Sequence, residues 1–367
     1  MRVGIEKLVA GGDGLARLDG KSVFIPLAAP GDILEVESTE ARRDYERAEI
    51  VSIESPGPSR RVPACPYYGA CGGCDLMHLD YGAQLDQKES IVRESFARIG
   101  RIALDSIPRL ESPEYGYRCR MRFRRGESGR LGFLRRRGSD VVPIERCLVA
   151  CAPANAFLAA DNARGGGRPG ENVAILCSAE RAAAAGRDSN IELEAAGLKL
   201  ACDARAFFQG NLAMLRAFAD CVLEGRGGGL AWDLYGGVGL FAALLAGRFE
   251  RIVLVEEDAL AAGLARRNLA HGQAVQAMSV EKWLARPEGR PELVLCDPPR
   301  TGLSAAAREG LARIGPAEIR YVSCDPVSLA RDCRQLASAG YSMSGLTLID
   351  MFPQTSHIEC VCSLRRA

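Results

Sequence analysis

Cys324 stands in the run Tyr321-Val322-Ser323-Cys324-Asp325-Pro326, downstream of Asp297-Pro298-Pro299-Arg300, and Glu359 lies 35 positions beyond it. A cysteine becomes a strong nucleophile as its thiolate. A thiolate that adds to carbon 6 of a pyrimidine makes carbon 5 nucleophilic, and a carboxylate base then removes the carbon-5 proton. A thiol, an acidic Asp-Pro-Pro-Arg loop and a late carboxylate are therefore the parts needed to methylate a pyrimidine ring carbon. Most cysteines are inert packing residues, so Cys324 is singled out by its neighbours.

A second group of thiols lies near the N-terminus. Cys65, Cys71 and Cys74 have the spacing C-x5-C-x2-C, with Gly72 and Gly73 letting the backbone fold tightly. Three close thiolates and a distant one suit a [4Fe–4S] cluster or a zinc site. Cys147 is the best distant thiolate, Cys119 and Cys151 are further candidates, and His78 would complete a Cys3His zinc set. Spacing leaves iron–sulfur and zinc open.

These residues need a scaffold. The chain has 367 residues, 47% apolar and 25% charged, which implies a globular protein of two or three domains. A formal charge of +1 gives no global basic signature. The N-terminus lacks the apolar core of a signal peptide, and no run approaches the roughly 18 apolar residues of a membrane span, so a cytoplasmic monomer is expected. Disulfides are rare there, so the 14 cysteines point to ligation and catalysis for any clustered subset.

Residues 1–54 read as short strands broken by Gly11-Gly12-Asp13-Gly14, Asp19-Gly20 and Pro30-Gly31-Asp32, a pattern that fits a small β-barrel of the oligonucleotide-binding type. A linker follows, then a helix from about 81 to 99 that Gly100 stops. Over 117–124, Arg118, Arg120, Arg122 and Arg124 alternate with Tyr117, Cys119, Met121 and Phe123, placing four guanidiniums on one strand face. From about 200 onward strands alternate with helices, predicting a doubly wound sheet. The chain thus divides into a barrel over 1–54, a β-rich central region over 55–200, and an α/β region over 201–367.

Asp233-Leu234-Tyr235-Gly236-Gly237-Val238-Gly239 links a strand to a helix, with Glu256 ending the next strand, where an acid bonds a ribose. Gly237 to Ala242 also matches the dinucleotide form G-x-G-x-x-A, so a dehydrogenase competes. Asp233 three residues before the turn, and Asp297-Pro298-Pro299 ending a later strand, favour S-adenosylmethionine.

With these motifs assembled, the whole chain resembles the RNA 5-methyluridine methyltransferase family, above all its bacterial 23S ribosomal RNA branch. Asp297-Pro298-Pro299-Arg300-Thr301-Gly302, the Cys324 run, and Asp350-Met351-Phe352-Pro353-Gln354-Thr355-Ser356-His357-Ile358-Glu359 carry the resemblance. It implies a class I Rossmann-like methyltransferase domain, an N-terminal TRAM-type barrel and a central iron–sulfur domain. It places [4Fe–4S] on Cys65, Cys71, Cys74 and Cys147, and S-adenosylmethionine on Gln209, Tyr235, Glu256 and Asp297. It makes Cys324 the nucleophile and Glu359 the base. The arginines at 118, 120, 122 and 124, with Arg300, would contact RNA, and ribosomal RNA is the expected partner. A transfer RNA 5-methyluridine enzyme, an RNA 5-methylcytidine enzyme and a non-catalytic RNA-binding protein are the alternatives. Two positions depart from the family: Asp325 replaces the usual Asn, and Gly236 a usual Cys. A carboxylate beside a thiolate tends to raise the thiol pKa.

Overall fold

Strands buried on both faces read as unbroken apolar runs, and the runs predicted near 230, 251, 293 and 319 take their places in one sheet. The computed structural model describes residues 1–366. Its eight-stranded sheet is ordered Ala274–Ala277, Phe249–Glu256, Gly228–Leu234, Leu293–Cys296, Glu318–Ser323, Glu359–Arg366, Tyr341–Ile349, Arg109–Leu110. The first five strands run parallel. Glu359–Arg366 is antiparallel to both its neighbours, so its first residue, Glu359, starts at the edge where the parallel strands end. That topology is the class I α/β methyltransferase fold expected from the sequence.

The barrel strands form a six-stranded sheet over residues 2–55 with its own core of Val23, Ile25, Leu34 and Ala48. Asp19 and Gly20 both take positive φ, 49° and 81°, the signature of the tight hairpin turn read from that pair. A five-stranded antiparallel sheet over 120–184 carries the arginine strand, Arg120–Arg125, with Met121 and Phe123 buried and Arg122 exposed.

The helix after the cysteine motif spans Tyr81–Ser95 and continues as a wider turn through Phe96–Gly100. The helix is expected to stop at Gly100, and Gly100 is its last residue; Arg101 takes the left-handed conformation that closes it, at φ 56°. A Cβ on Gly100 would meet the Ala330 carbonyl at 3.4 Å, so the helix passes close to its neighbour's backbone there. The helix buries Leu85, Val92 and Phe96 in one core with Leu329 and Cys333 from the helix Pro326–Ala337 that follows the candidate nucleophile. Among the described residues no helix is long and apolar enough to cross a membrane.

Candidate active site and thiol cavity

In open α/β sheets a crevice forms outside the carboxyl ends of the strands, and the candidate residues Cys324, Glu359 and Asp297 gather there. In the ladder between Glu318–Ser323 and Glu359–Arg366, Ser323 pairs with Cys360. Continuing that register by one residue points Cys324 toward Glu359, whose charge acts on the thiol. Asp297 immediately follows the strand parallel to Glu318–Ser323, so it ends beside them.

Burial lifts the Glu359 carboxyl well above its ordinary value; Asp297 adds to the rise and Arg300 opposes it. Burial pushes Asp297 up to about 7. The Cys324 thiol is raised to about 11, first by burial and then by Glu359 and Asp297, with Arg300 pulling it down. Arg300 is thus the cation that favours the charged forms of both reactive groups. Its guanidinium lies 3.0 Å from Nδ1 of His357. Burial and the Arg300 charge lower His357 to about 4, so at neutral pH the ring accepts that N–H. Asp325 has another task than the one feared from its sequence position. Its carboxylate caps the helix Pro326–Ala337, accepting from the Ser328 N–H at 2.6 Å, where negative charge is favourable.

The cofactor candidates converge beside this group. Gln209 donates to Asp297 Oδ2 at 3.3 Å, and Glu256 accepts the N–H groups of Gly237 at 2.9 Å and Asp258 at 2.7 Å. Tyr235 lines both a cleft of about 440 Å³ that includes Glu256 and a narrower one of about 40 Å³ that includes Gln209 and Asp297. Its φ of 60° is strained for a residue with a Cβ, and such strain clusters in ligand loops. A Cβ on Gly236 would fall 2.5 Å from Leu254 Cγ, so a side chain there would require Leu254 to shift. Asp233 is buried; burial raises its carboxyl to about 8 while the Ala242 N–H opposes the rise.

Cys65, Cys71, Cys74 and Cys147 line one cavity of about 240 Å³, together with Arg118, Arg122 and His357. All four are free thiols. Burial and the neighbouring thiols Cys147 and Cys71 raise Cys74 strongly, so the set resists becoming four thiolates unless a cation joins it. Among the described residues, no three or more His, Cys, Asp or Glu side chains converge on a single metal ion. His78 does not complete a ligand set: its Nδ1 lies 2.5 Å from the Tyr68 hydroxyl, and its ring is buried outside the cavity wall. Cys119 and Cys151 are likewise absent from the lining.

The arginine strand divides. Arg118 stacks 5.8 Å over Phe352 of the loop 350–358 that leads into Glu359, the candidate catalytic loop, and Arg120 stacks 5.3 Å over Phe207, which lines the narrow cleft. Arg122 faces solvent beside the thiol cavity, while Arg124 lies at the other end of the strand near Gly170. Sequence reasoning missed the support beneath the catalytic loop. Lys88 donates to Asp350 Oδ1 at 2.7 Å, both fully buried. The helix position of Lys88 gave no cue to a partner 262 residues away.

A family model described as tRNA (Uracil-5-)-methyltransferase matches residues 289–367, and a TRAM domain model matches residues 1–51. An uncharacterized RNA methyltransferase of Aquifex aeolicus is 31% identical, covering 99% of this chain and 98% of its own. The 23S rRNA (uracil(1939)-C(5))-methyltransferase RlmD of Shewanella amazonensis is 30% identical, covering 97% of this chain and 93% of its own. Among solved structures, Pyrococcus abyssi tRNA (uracil-54, C5)-methyltransferase in complex with S-adenosyl-L-homocysteine superposes with a TM-score of 0.77 at 24% identity. That match covers 99% of this chain and 100% of the other.

Proposed function

The chain belongs to the S-adenosylmethionine-dependent RNA uracil-C5 methyltransferases, and on that premise we propose that it methylates carbon 5 of a uridine in 23S ribosomal RNA through a covalent Cys324 adduct. The observation that carries the mechanism is the register placing Cys324 across from Glu359, with Asp297 and Arg300 acting on both. The relatives acting on 23S ribosomal RNA favour that substrate over transfer RNA.

The Cys324 thiolate adds to carbon 6, and the ring electrons move to an enolate whose charge Arg300 stabilises. S-adenosylmethionine, held by Gln209, Tyr235, Glu256 and Asp297, supplies the methyl group that carbon 5 takes. Glu359 then accepts the carbon-5 proton, and the released electron pair restores the ring double bond as Cys324 leaves. A carboxylate in a buried pocket is a stronger base than one in water, which suits removal of a proton from carbon.

The target base must leave its stack to reach this crevice. Arg118, Arg120, Arg122, Arg124 and Arg300 are proposed to hold the RNA, with Arg118, Arg120 and Arg300 nearest the chemistry. The four thiols are proposed to hold a [4Fe–4S] cluster. What supports the reading is that the four thiols line one cavity, and that the family the sequence resembles places such a cluster on these positions.

Methyl transfer from labelled S-adenosylmethionine to RNA from cells lacking the enzyme tests the reading. Cys324→Ala is expected to abolish transfer, and mapping 5-methyluridine in the wild-type product should place it in 23S ribosomal RNA. Unchanged transfer by Cys324→Ala would remove the nucleophile assignment.

A further inference from the structure

Asp75 directly follows Cys74, and its polar groups reach the catalytic loop. Its Oδ2 accepts from the Ser356 hydroxyl at 3.0 Å and from the Ser356 N–H at 3.3 Å. The Asp75 and Leu76 N–H groups both donate to the Gln354 carbonyl at 3.0 Å. Its other oxygen, Oδ1, accepts from Arg136 at 3.0 Å, and the same guanidinium donates to the Cys74 carbonyl at 2.5 Å. One residue therefore bonds both the thiol loop and the loop that ends in Glu359.

The loop needs that support. Gln354 is buried and holds φ at 68°, a conformation strained for a residue with a Cβ that persists only where the surroundings over-determine it. Its N–H donates to Gln84 at 2.9 Å, and its side-chain amide donates to Glu114 at 2.8 Å. Three residues on, His357 meets Arg300; five residues on, Glu359 begins its strand. The barrel closes over the same joint: a Cβ on Gly12 would lie 2.8 Å from Ser356 Cβ and 3.4 Å from Asp75 Cβ. Barrel, thiol loop and catalytic loop thus meet at the Asp75–Ser356 contact.

We propose that Asp75 is a positioning residue that ties the thiol loop to the catalytic loop and holds Glu359 where it takes the carbon-5 proton. The proposal rests on Glu359 being the base. It follows that disturbing Asp75 slows the release of product from the covalent adduct while leaving RNA and cofactor binding intact.

Asp75→Asn keeps the size of the side chain but turns one acceptor oxygen into a donor, which must then face either Ser356 or Arg136, both of them donors. Its kcat should fall roughly ten- to a hundredfold, the effect of a small misplacement at a reacting group, with KM for RNA unchanged. A covalent enzyme–RNA species carrying the labelled methyl group should accumulate on denaturing gels. Ser356→Ala, which leaves the thiol loop untouched, should accumulate the same species and covers the case in which Asp75→Asn does not fold. A fall in kcat without that species in either folded variant, or a rise in KM alone, overturns the proposal. Cys324→Ala run in parallel separates the two claims. If it still transfers methyl groups, the covalent reading fails. If it is inactive while Asp75→Asn and Ser356→Ala behave as wild type, only the role of Asp75 fails.

Discussion

Cys324 faces a cost that its neighbours impose. With its thiol at about 11, the reactive thiolate is a minor species at neutral pH, and Glu359 is also raised. Both groups act deprotonated, and both pKa values lie above their ordinary values. Activity is therefore lost as pH falls and gained as pH rises. We expect kcat/KM to climb continuously between about pH 6 and 9, following the free enzyme's titrations. A profile that declines over that range would contradict the assignment of these two groups. Removing the opposing cation sharpens the test. Arg300→Met should raise both groups further, shifting the rise in kcat/KM to higher pH and lowering the rate at pH 7.5. The sequence made Asp325 look like the troublesome carboxylate. The structure turns it into a helix cap, and the carboxyls that raise the thiol are Glu359 and Asp297.

At the scale of elements, the helix Tyr81–Ser95 supports the catalytic loop with one buried ion pair. Burial draws the Lys88 ammonium pKa down and Asp350 opposes that; Asp350 Oδ2 has no partner of its own. Taking away one member of such a pair leaves an uncompensated buried charge, at a cost of about 3–5 kcal/mol. Lys88→Met is expected to lower the melting temperature by several degrees and to weaken activity with it; a melting curve equal to wild type would show the pair to be dispensable. The strands of the parallel sheet and the Asp19-Gly20 turn were legible in the sequence, because apolar runs and turn residues act locally. The end of the helix was legible too, since Gly100 is its last residue, although it is Arg101 that takes the left-handed position closing it.

At the scale of the molecule, the thiol cavity joins the arginine strand to the catalytic loop: Arg118, Arg122 and His357 share its wall with the four cysteines. Protein purified without oxygen should be brown, absorb broadly near 400 nm (about the range of iron–sulfur chromophores) and carry iron. Cys147→Ala should lose both colour and iron and melt at a lower temperature. A colourless wild-type protein loaded with zinc would refute the cluster.

What the sequence determined by itself was local and chemical. Residue types and short spacings marked Cys324, Glu359, the Asp-Pro-Pro-Arg loop and the cysteine motif, and the periodicity of apolar residues set the α/β sheet. What only the tertiary structure decided was who meets whom. The antiparallel return of the last strand brings Glu359 to Cys324, Lys88 finds Asp350, and Asp75 finds Ser356. Such partners lie from 35 to 281 residues apart, and one strand register, one hydrogen bond or one buried ion pair fixes them. No local pattern carries that information, because the free energy that selects each pairing comes from burial and hydrogen bonding across the assembled fold.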